Sequence, residues 1–96
     1  MGQITEVIQS PLFVRQKKKL KKNQIKKLDD AIRTIMADPT IGTAKSGDLQ
    51  GVQVYKYKFG DNLLLLAYEV EKSTLYLYAS GSHQNFYREL SKYLHQ

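Results

Sequence analysis

Hydrophobic residues recur along the chain with two different periods, and each change of period predicts where strands and helices lie. The segment from Gln3 to Gln9 carries β-branched residues on both faces and no strand-breaking residue, which predicts a short first strand. Ser10 and Pro11 then predict a helix start, because serine favours the N-cap and proline fits the first helical position. This helix buries a narrow stripe containing Phe13 and Leu20.

The strongest helical pattern begins at Gln24. Its apolar residues repeat at intervals of three and four: Ile25, Leu28, Ile32, Ile35 and Met36. Asn23 is predicted to mark the turn before this helix, and Asp38 with Pro39 to end it. Two helices joined by a short turn form a hairpin, whose apolar stripe needs a sheet to cover it.

The second half of the chain predicts a sheet. A glycine-containing loop is expected from Ile41 to Gln53, followed by strands at Gln53–Phe59, Leu63–Val70 and Thr74–Ser80. The short links between these strands predict an antiparallel meander, with Leu63 to Ala67 in the central strand because both of its faces are apolar. Gln84 to Leu94 then predicts a short amphipathic helix. The expected fold is α+β: an N-terminal strand, a helical hairpin, a three-stranded antiparallel meander completing one sheet, and a short C-terminal helix.

Length and composition narrow the classes of protein. The 96 residues predict a single domain over 1–96, and the absence of cysteine argues against a disulfide framework or a cysteine-based zinc site. The longest strictly apolar run, Leu63 to Ala67, is far shorter than the ~20 residues of a membrane span, and the first ten residues lack the pattern of a signal peptide. We therefore expect a cytoplasmic protein with no membrane partner.

The positive charge is concentrated in one segment. The chain holds 15 Lys and Arg against 9 Asp and Glu, for a net charge of +6. The segment from Arg15 to Lys27 contains no acidic residue, and its lysines are Lys17, Lys18, Lys19, Lys21, Lys22, Lys26 and Lys27. Such a cluster favours a polyanion such as nucleic acid. The alternative interpretation is a solvated helix face that keeps a small protein soluble.

Several familiar sites are absent from the sequence. The glycines at 42, 47 and 51 match neither the dinucleotide fingerprint nor the P-loop. The two histidines, His83 and His95, have no cysteine and no carboxylate cluster at ligand spacing beside them. We expect no metal ion and no small-molecule cofactor.

A smaller set of basic and aromatic residues converges if the strands form as predicted. Lys56 and Lys58 share one face of their strand, while the intervening tyrosines take the other. His83 lies just past the last strand, and Tyr87 follows one helical turn later. Each has an alternative: His83 as a structural hydrogen bonder, the two lysines as a solvated strand face, and Tyr87 as a core residue.

These residue types suit RNA cleavage. A base must take the proton of the ribose 2′-OH, cations must stabilise the charge on phosphorus, and an acid must protonate the leaving 5′-oxygen. Histidine can fill either proton-transfer role, lysines supply charge, and tyrosine can stack on a base or hydrogen-bond the phosphate.

Three stretches carry a resemblance to a known family. They are Val54-Tyr55-Lys56-Tyr57-Lys58-Phe59 with the following Leu64 to Val70, Gly47-Asp48-Leu49-Gln50-Gly51, and Gly81-Ser82-His83-Gln84-Asn85-Phe86-Tyr87. With the order of elements, they resemble the RelE/ParE superfamily of bacterial type II toxins, and the last is similar to the C-terminal motif of RelE- and YafQ-like members.

The resemblance implies a ribosome-dependent mRNA endoribonuclease that inhibits translation by metal-independent attack of the 2′-OH. It implies that Lys56 and Lys58 stabilise the phosphate, that His83 transfers a proton, and that Tyr87 contacts a base or the phosphate. It implies three partners: the ribosome and mRNA, with the cluster from Lys17 to Lys27 on ribosomal RNA, and a cognate antitoxin protein.

The chain departs from the family pattern at one point. RelE-like toxins carry an arginine on the strand after the Lys-x-Lys strand, whereas this chain has Leu64 to Leu66, and the YafQ-like histidines on the preceding loop and strand are absent too. ParE-type members share the fold but inhibit DNA gyrase without nuclease chemistry, and they are the alternative. A basic RNA-binding module without toxicity is a third hypothesis.

Overall fold

The computed structural model describes residues 3–95 as a five-stranded sheet with helices on both faces. In chain order the elements are β1 (Glu6–Gln9), α1 (Pro11–Lys18), α2 (Lys22–Ala37), β2 (Thr43–Ala44), a 3-10 turn (Gly47–Leu49), β3 (Gln53–Phe59), β4 (Asn62–Glu71), β5 (Thr74–Ser82) and α3 (His83–Leu94). The strand order is β1-β5-β4-β3-β2, with β1 parallel to β5 and the other pairs antiparallel. The predicted α+β fold is confirmed.

The helix α1 begins where the sequence predicts. The Ser10 hydroxyl accepts a hydrogen bond from the Phe13 backbone N–H at 3.0 Å and donates one to the Tyr78 carbonyl at 2.6 Å. Pro11 occupies the first turn, where its missing N–H leaves no bond unmade. Ser10 therefore both starts α1 and fastens it to β5.

Two predictions about connections are wrong. Asn23 lies inside α2, which begins at Lys22, because the Gln24 side chain accepts the Lys21 backbone N–H at 2.8 Å and so caps the helix earlier. The predicted loop from Ile41 to Gln53 contains β2, which pairs with the start of β3, as well as the 3-10 turn. A strand of two residues is too short to leave a period in the sequence.

The sheet separates two apolar cores. One lies between the sheet and the hairpin of α1 and α2, and includes Phe13, Leu28 and Leu66. The other lies under α3 and includes Leu65, Phe86 and Leu90. β4 is the middle strand and buries side chains on both faces, as its apolar run predicts. Within residues 3–95, no helix is long and apolar enough to cross a membrane.

Candidate active site

The first turn of α3 lies at one end of the sheet, beside the ends of three strands. β5 ends at Ser82 and α3 begins at the next residue, so no loop separates them. Lys56 pairs with Leu65, and Leu65 pairs in turn with Gly81. Neighbouring strands lie about 4.8 Å apart, so the backbones of Lys56 and Gly81 are about 10 Å apart. Lys56 thus lies at the end of the sheet from which His83 emerges.

His83 and Tyr87 form an edge-to-face pair, as their spacing of one helical turn predicts. Their ring centroids are 5.8 Å apart, with an angle of 79° between the ring planes. The Tyr87 ring also packs edge-to-face on Phe86 at 5.1 Å, and Phe86 is buried in the core under α3. Phe86 therefore fixes Tyr87, while the His83 side chain stays exposed.

Lys45 is a site residue that the sequence analysis missed. Its Nζ lies 5.3 Å from the centroid of the Tyr87 ring, which is a cation–π distance. Its backbone N–H donates to the Val52 carbonyl at 2.9 Å, which extends the pairing of β2 with β3 by one residue. The one signal in the sequence is that Lys45 is the only cation between Arg33 and Lys56.

Tyr68 holds the connection that leads to Lys45. Its hydroxyl accepts the Gly42 N–H at 2.9 Å and donates to the Pro39 carbonyl at 2.8 Å. A Cβ atom at position 42 would lie 2.6 Å from this hydroxyl, so glycine is required there. Burial raises the pKa of Tyr68, which keeps the phenol neutral and able to donate. The buried β4 thus sets the path of the chain into β2.

The two lysines of β3 lie on the face that the alternation predicts. Tyr55 and Tyr57 stack with centroids 6.2 Å apart and pack against the core under the helical hairpin, while Lys56 and Lys58 are exposed. Burial raises the pKa of Tyr57 to about 12. Among the described residues, neither lysine hydrogen-bonds to His83 or Tyr87. They lie toward the same end of the sheet as the aromatic pair.

The lysine cluster is divided among different surfaces. Lys17 forms an ion pair with Asp29 of α2, with Nζ 3.7 Å from the carboxylate oxygen. Lys27 lines a cavity of about 280 Å³ beside Lys58, at the outer edge of β3. Exposed side chains are presented by Lys18, Lys19, Lys21, Lys22 and Lys26. The lysines of the cluster therefore differ in their surroundings.

The electrostatics at this end of the sheet favour an anion. The first backbone N–H groups of the 12-residue α3 carry the positive end of its dipole. The Ser82 side chain makes no capping bond there. Lys56 of β3 and the Nζ of Lys45 beside the Tyr87 ring add two ammonium groups. The arrangement can bind a phosphate group, and His83 at its edge can accept or donate a proton.

Comparison with known proteins gives a family. The family model described as "ParE-like toxin of type II bacterial toxin-antitoxin system" matches residues 7–91. No curated protein gives a significant sequence match to the chain.

Solved structures share the fold over nearly the whole chain. A double arginine-to-alanine variant of the E. coli toxin RelE in the free state gives a TM-score of 0.71 at 15% identity, covering 96% of this chain and 93% of that one. The isolated E. coli RelE toxin gives 0.64 at 18% identity, covering 93% and 97%. The intact E. coli RelBE toxin–antitoxin complex gives 0.65 at 17% identity, covering 82% and 96%. At these identities the likeness establishes the fold.

Proposed function

We propose that this chain, which belongs to the ParE-like toxins of type II bacterial toxin–antitoxin systems, is an mRNA endoribonuclease that acts on the ribosome. The observation that supports this most is the pair of His83 and Tyr87 at the start of α3, with their rings 5.8 Å apart. A proton-transfer group beside an aromatic ring, at a helix N-terminus and near lysines, is suited to a nucleotide phosphate.

The reaction is a transesterification within the RNA. The ribose 2′-oxygen loses its proton and forms a bond to the adjacent phosphorus, while the bond from phosphorus to the 5′-oxygen breaks. The products are a 2′,3′-cyclic phosphate and a 5′-hydroxyl. His83 takes the proton of the 2′-OH or gives one to the 5′-oxygen, Lys56 and Lys58 stabilise the charge on phosphorus, and Tyr87 stacks on a base or hydrogen-bonds the phosphate.

The partners in this proposal follow from the family and the charge. A type II toxin is held inactive by an antitoxin protein, and the E. coli RelBE structure is a toxin–antitoxin complex with this fold. The lysines of α1 and α2 supply the positive surface for ribosomal RNA. The protein then acts in the cytoplasm, where it inhibits translation.

Primer extension on an mRNA that is being translated tests the proposal. We expect cuts within ribosome-bound codons and none in naked RNA. His83→Ala should lower the cleavage rate by roughly 10²- to 10⁴-fold, the usual contribution of a general acid or base. The matched control is His95→Ala, since His95 is also exposed and follows the last residue of α3. Unchanged cleavage by folded His83→Ala would remove His83 from the mechanism.

A second candidate function is inhibition of DNA gyrase. It is favoured by Leu64 to Leu66 in β4, where RelE-like toxins carry an arginine, and by the ParE-like family model. It predicts inhibition of supercoiling by purified gyrase, with toxicity that survives His83→Ala. Cleavage of mRNA on purified ribosomes would count against it.

A further inference from the structure

A groove runs between α1 and α3 and ends at the candidate active site. Its larger part is a cavity of about 610 Å³, within the range of ligand pockets, and Tyr93 lies in its wall. A second cavity of about 260 Å³ shares Gln16, Lys19 and Glu89 with the first and extends to Ser82. Because Ser82 and Asn85 line the second cavity, the groove reaches the first turn of α3, where His83 lies.

The groove is strongly cationic. Arg15, Lys18 and Lys19 line it from the side of α1, and Lys92 lines it from α3; all four side chains are exposed. Among the described residues, none of these four cations forms an ion pair. The carboxylate in the groove belongs to Glu89, and it already accepts a hydrogen bond from Gln16 at 3.0 Å.

The walls of the groove are held in place before any ligand binds. Gln16 uses both ends of its amide, since Oε1 accepts the Ser80 N–H at 2.8 Å and Nε2 donates to Glu89. One side chain thus joins α1 to β5 and to α3. Four positive side chains thus line a groove that reaches the first turn of α3.

We propose that this groove binds the single-stranded RNA next to the scissile phosphate, with the four cations on its phosphates and the Tyr93 ring stacked on a base. The inference rests on the proposed nuclease function. Positive grooves with aromatic side chains bind single strands in this way. An acidic protein segment would also be attracted to the charges, but the groove reaches the first turn of α3, beside His83, and this favours the nucleic acid that is cut there.

The proposal predicts that basic residues inside the groove bind RNA and that exposed basic residues outside it do not. Arg15 and Lys92 line the groove, whereas Arg33 of α2 and Lys72 of the turn between β4 and β5 are also exposed and lie outside it. A double substitution to glutamine removes two positive charges in either pair. Binding in the groove predicts that the two double variants behave differently.

Fluorescence anisotropy with a labelled 12-nucleotide uridine oligomer measures this difference, since free RNA is not expected to be cut. A plot of log affinity against log salt has a negative slope when a protein binds phosphates. Arg15→Gln with Lys92→Gln should make this slope less negative by about 1.4, at about 0.7 for each phosphate that the protein no longer neutralises. Arg33→Gln with Lys72→Gln should leave the slope nearly unchanged. Tyr93→Leu should weaken binding by about 5- to 150-fold, while Tyr93→Phe retains the stacking.

Equal slopes for the two double variants would overturn the proposal. So would a 12-residue glutamate peptide that binds more tightly than the RNA and loses affinity only in the groove variant, since that result would assign the groove to an acidic protein segment. The nuclease function is judged separately. Groove-dependent binding without cleavage on ribosomes would support the RNA groove and contradict the nuclease function. Cleavage on ribosomes with equal slopes for the two double variants would support the nuclease function and contradict the RNA groove.

Discussion

Lys45 lies beside two aromatic side chains of α3 that are far from it in the sequence, Tyr87 and His83. The Tyr87 ring contacts Lys45, His83 and the buried Phe86. Lys45 approaches from the short strand β2, on the other side of β3 from the position of the missing arginine in β4. We expect Lys45 to add positive charge to a site that lacks this arginine, and to orient Tyr87.

Replacing Lys45 tests this role. Lys45→Met keeps the length of the side chain and removes its charge, so we expect the cleavage rate at low substrate concentration to fall roughly tenfold, in line with one cation–π contact. Lys45→Arg should restore most of the rate, because arginine also stacks on aromatic rings.

The control for this prediction is Lys72→Met. Lys72 is exposed and lies in the turn between β4 and β5, at the opposite end of the sheet from His83. Equal rates for Lys45→Met and the unaltered protein would show that the lysine only covers the ring. A failure of Lys45→Arg to recover activity would show that the charge alone is insufficient.

At the scale of elements, α1 is joined to the sheet through its two ends. Ser10 bonds the Tyr78 carbonyl at the start of the helix, and Gln16 bonds the Ser80 N–H near its end. Both of these backbone groups lie on β5, which leads directly into α3. The position of α1 relative to the first turn of α3 therefore depends on two side chains.

Loss of the Ser10 hydroxyl should destabilise the protein. Ser10→Ala removes the cap of α1 and leaves the Tyr78 carbonyl without this partner, so the free energy of unfolding should fall by about 1–3 kcal/mol in a urea titration. Ser82→Ala is the matched control, because Ser82 is the N-cap of α3 but makes no side-chain capping bond. Equal losses for both variants would mean that the hydroxyl of Ser10 is not what stabilises α1.

The sequence predicted the elements that have a period or a cap, and missed those that have neither. Ser10 and Pro11 located the start of α1 because their signal is local. The turn predicted at Asn23 lies inside α2, because the side chain of Gln24 accepts the Lys21 N–H and caps the helix there. A glutamine within an apolar repeat is not a recognisable capping signal. β2 could not be predicted, because its position depends on contacts with other elements. Its two residues pair with β3, and the preceding Gly42 bonds to Tyr68, which lies 26 residues further along the chain.

The part of the candidate site that lies on α3 could be predicted from the sequence, and the part contributed by other elements could not. His83 and Tyr87 lie on one helix, so their spacing alone brings their rings together. Lys45 reaches Tyr87 through the tertiary structure, and no local pattern connects the two residues. The division of the lysine cluster also depends on packing, since only the docking of α1 against α2 reveals that Lys17 is paired with Asp29.

At the scale of the whole molecule, the sheet lies between the helical hairpin and α3. Positive side chains and His83 lie near the same end of this sheet. The segment from Arg15 to Lys27 holds eight basic residues and no acidic one, so its charge exceeds the net charge of +6. Part of that segment lines the groove that reaches the first turn of α3. A polyanion attracted at long range by the lysines would therefore be led toward the start of α3. We predict that RNA is cleaved at that point.

The most direct test of this central claim is to place a single 2′-deoxynucleotide at the cut position of an mRNA programmed on purified ribosomes. We predict that the unmodified codon is cut to a 2′,3′-cyclic phosphate and that the deoxy codon is not cut, because the attacking oxygen is missing. Equal cleavage of both codons would contradict the transesterification. No cleavage of either codon, together with inhibition of gyrase by the same preparation, would contradict the nuclease itself.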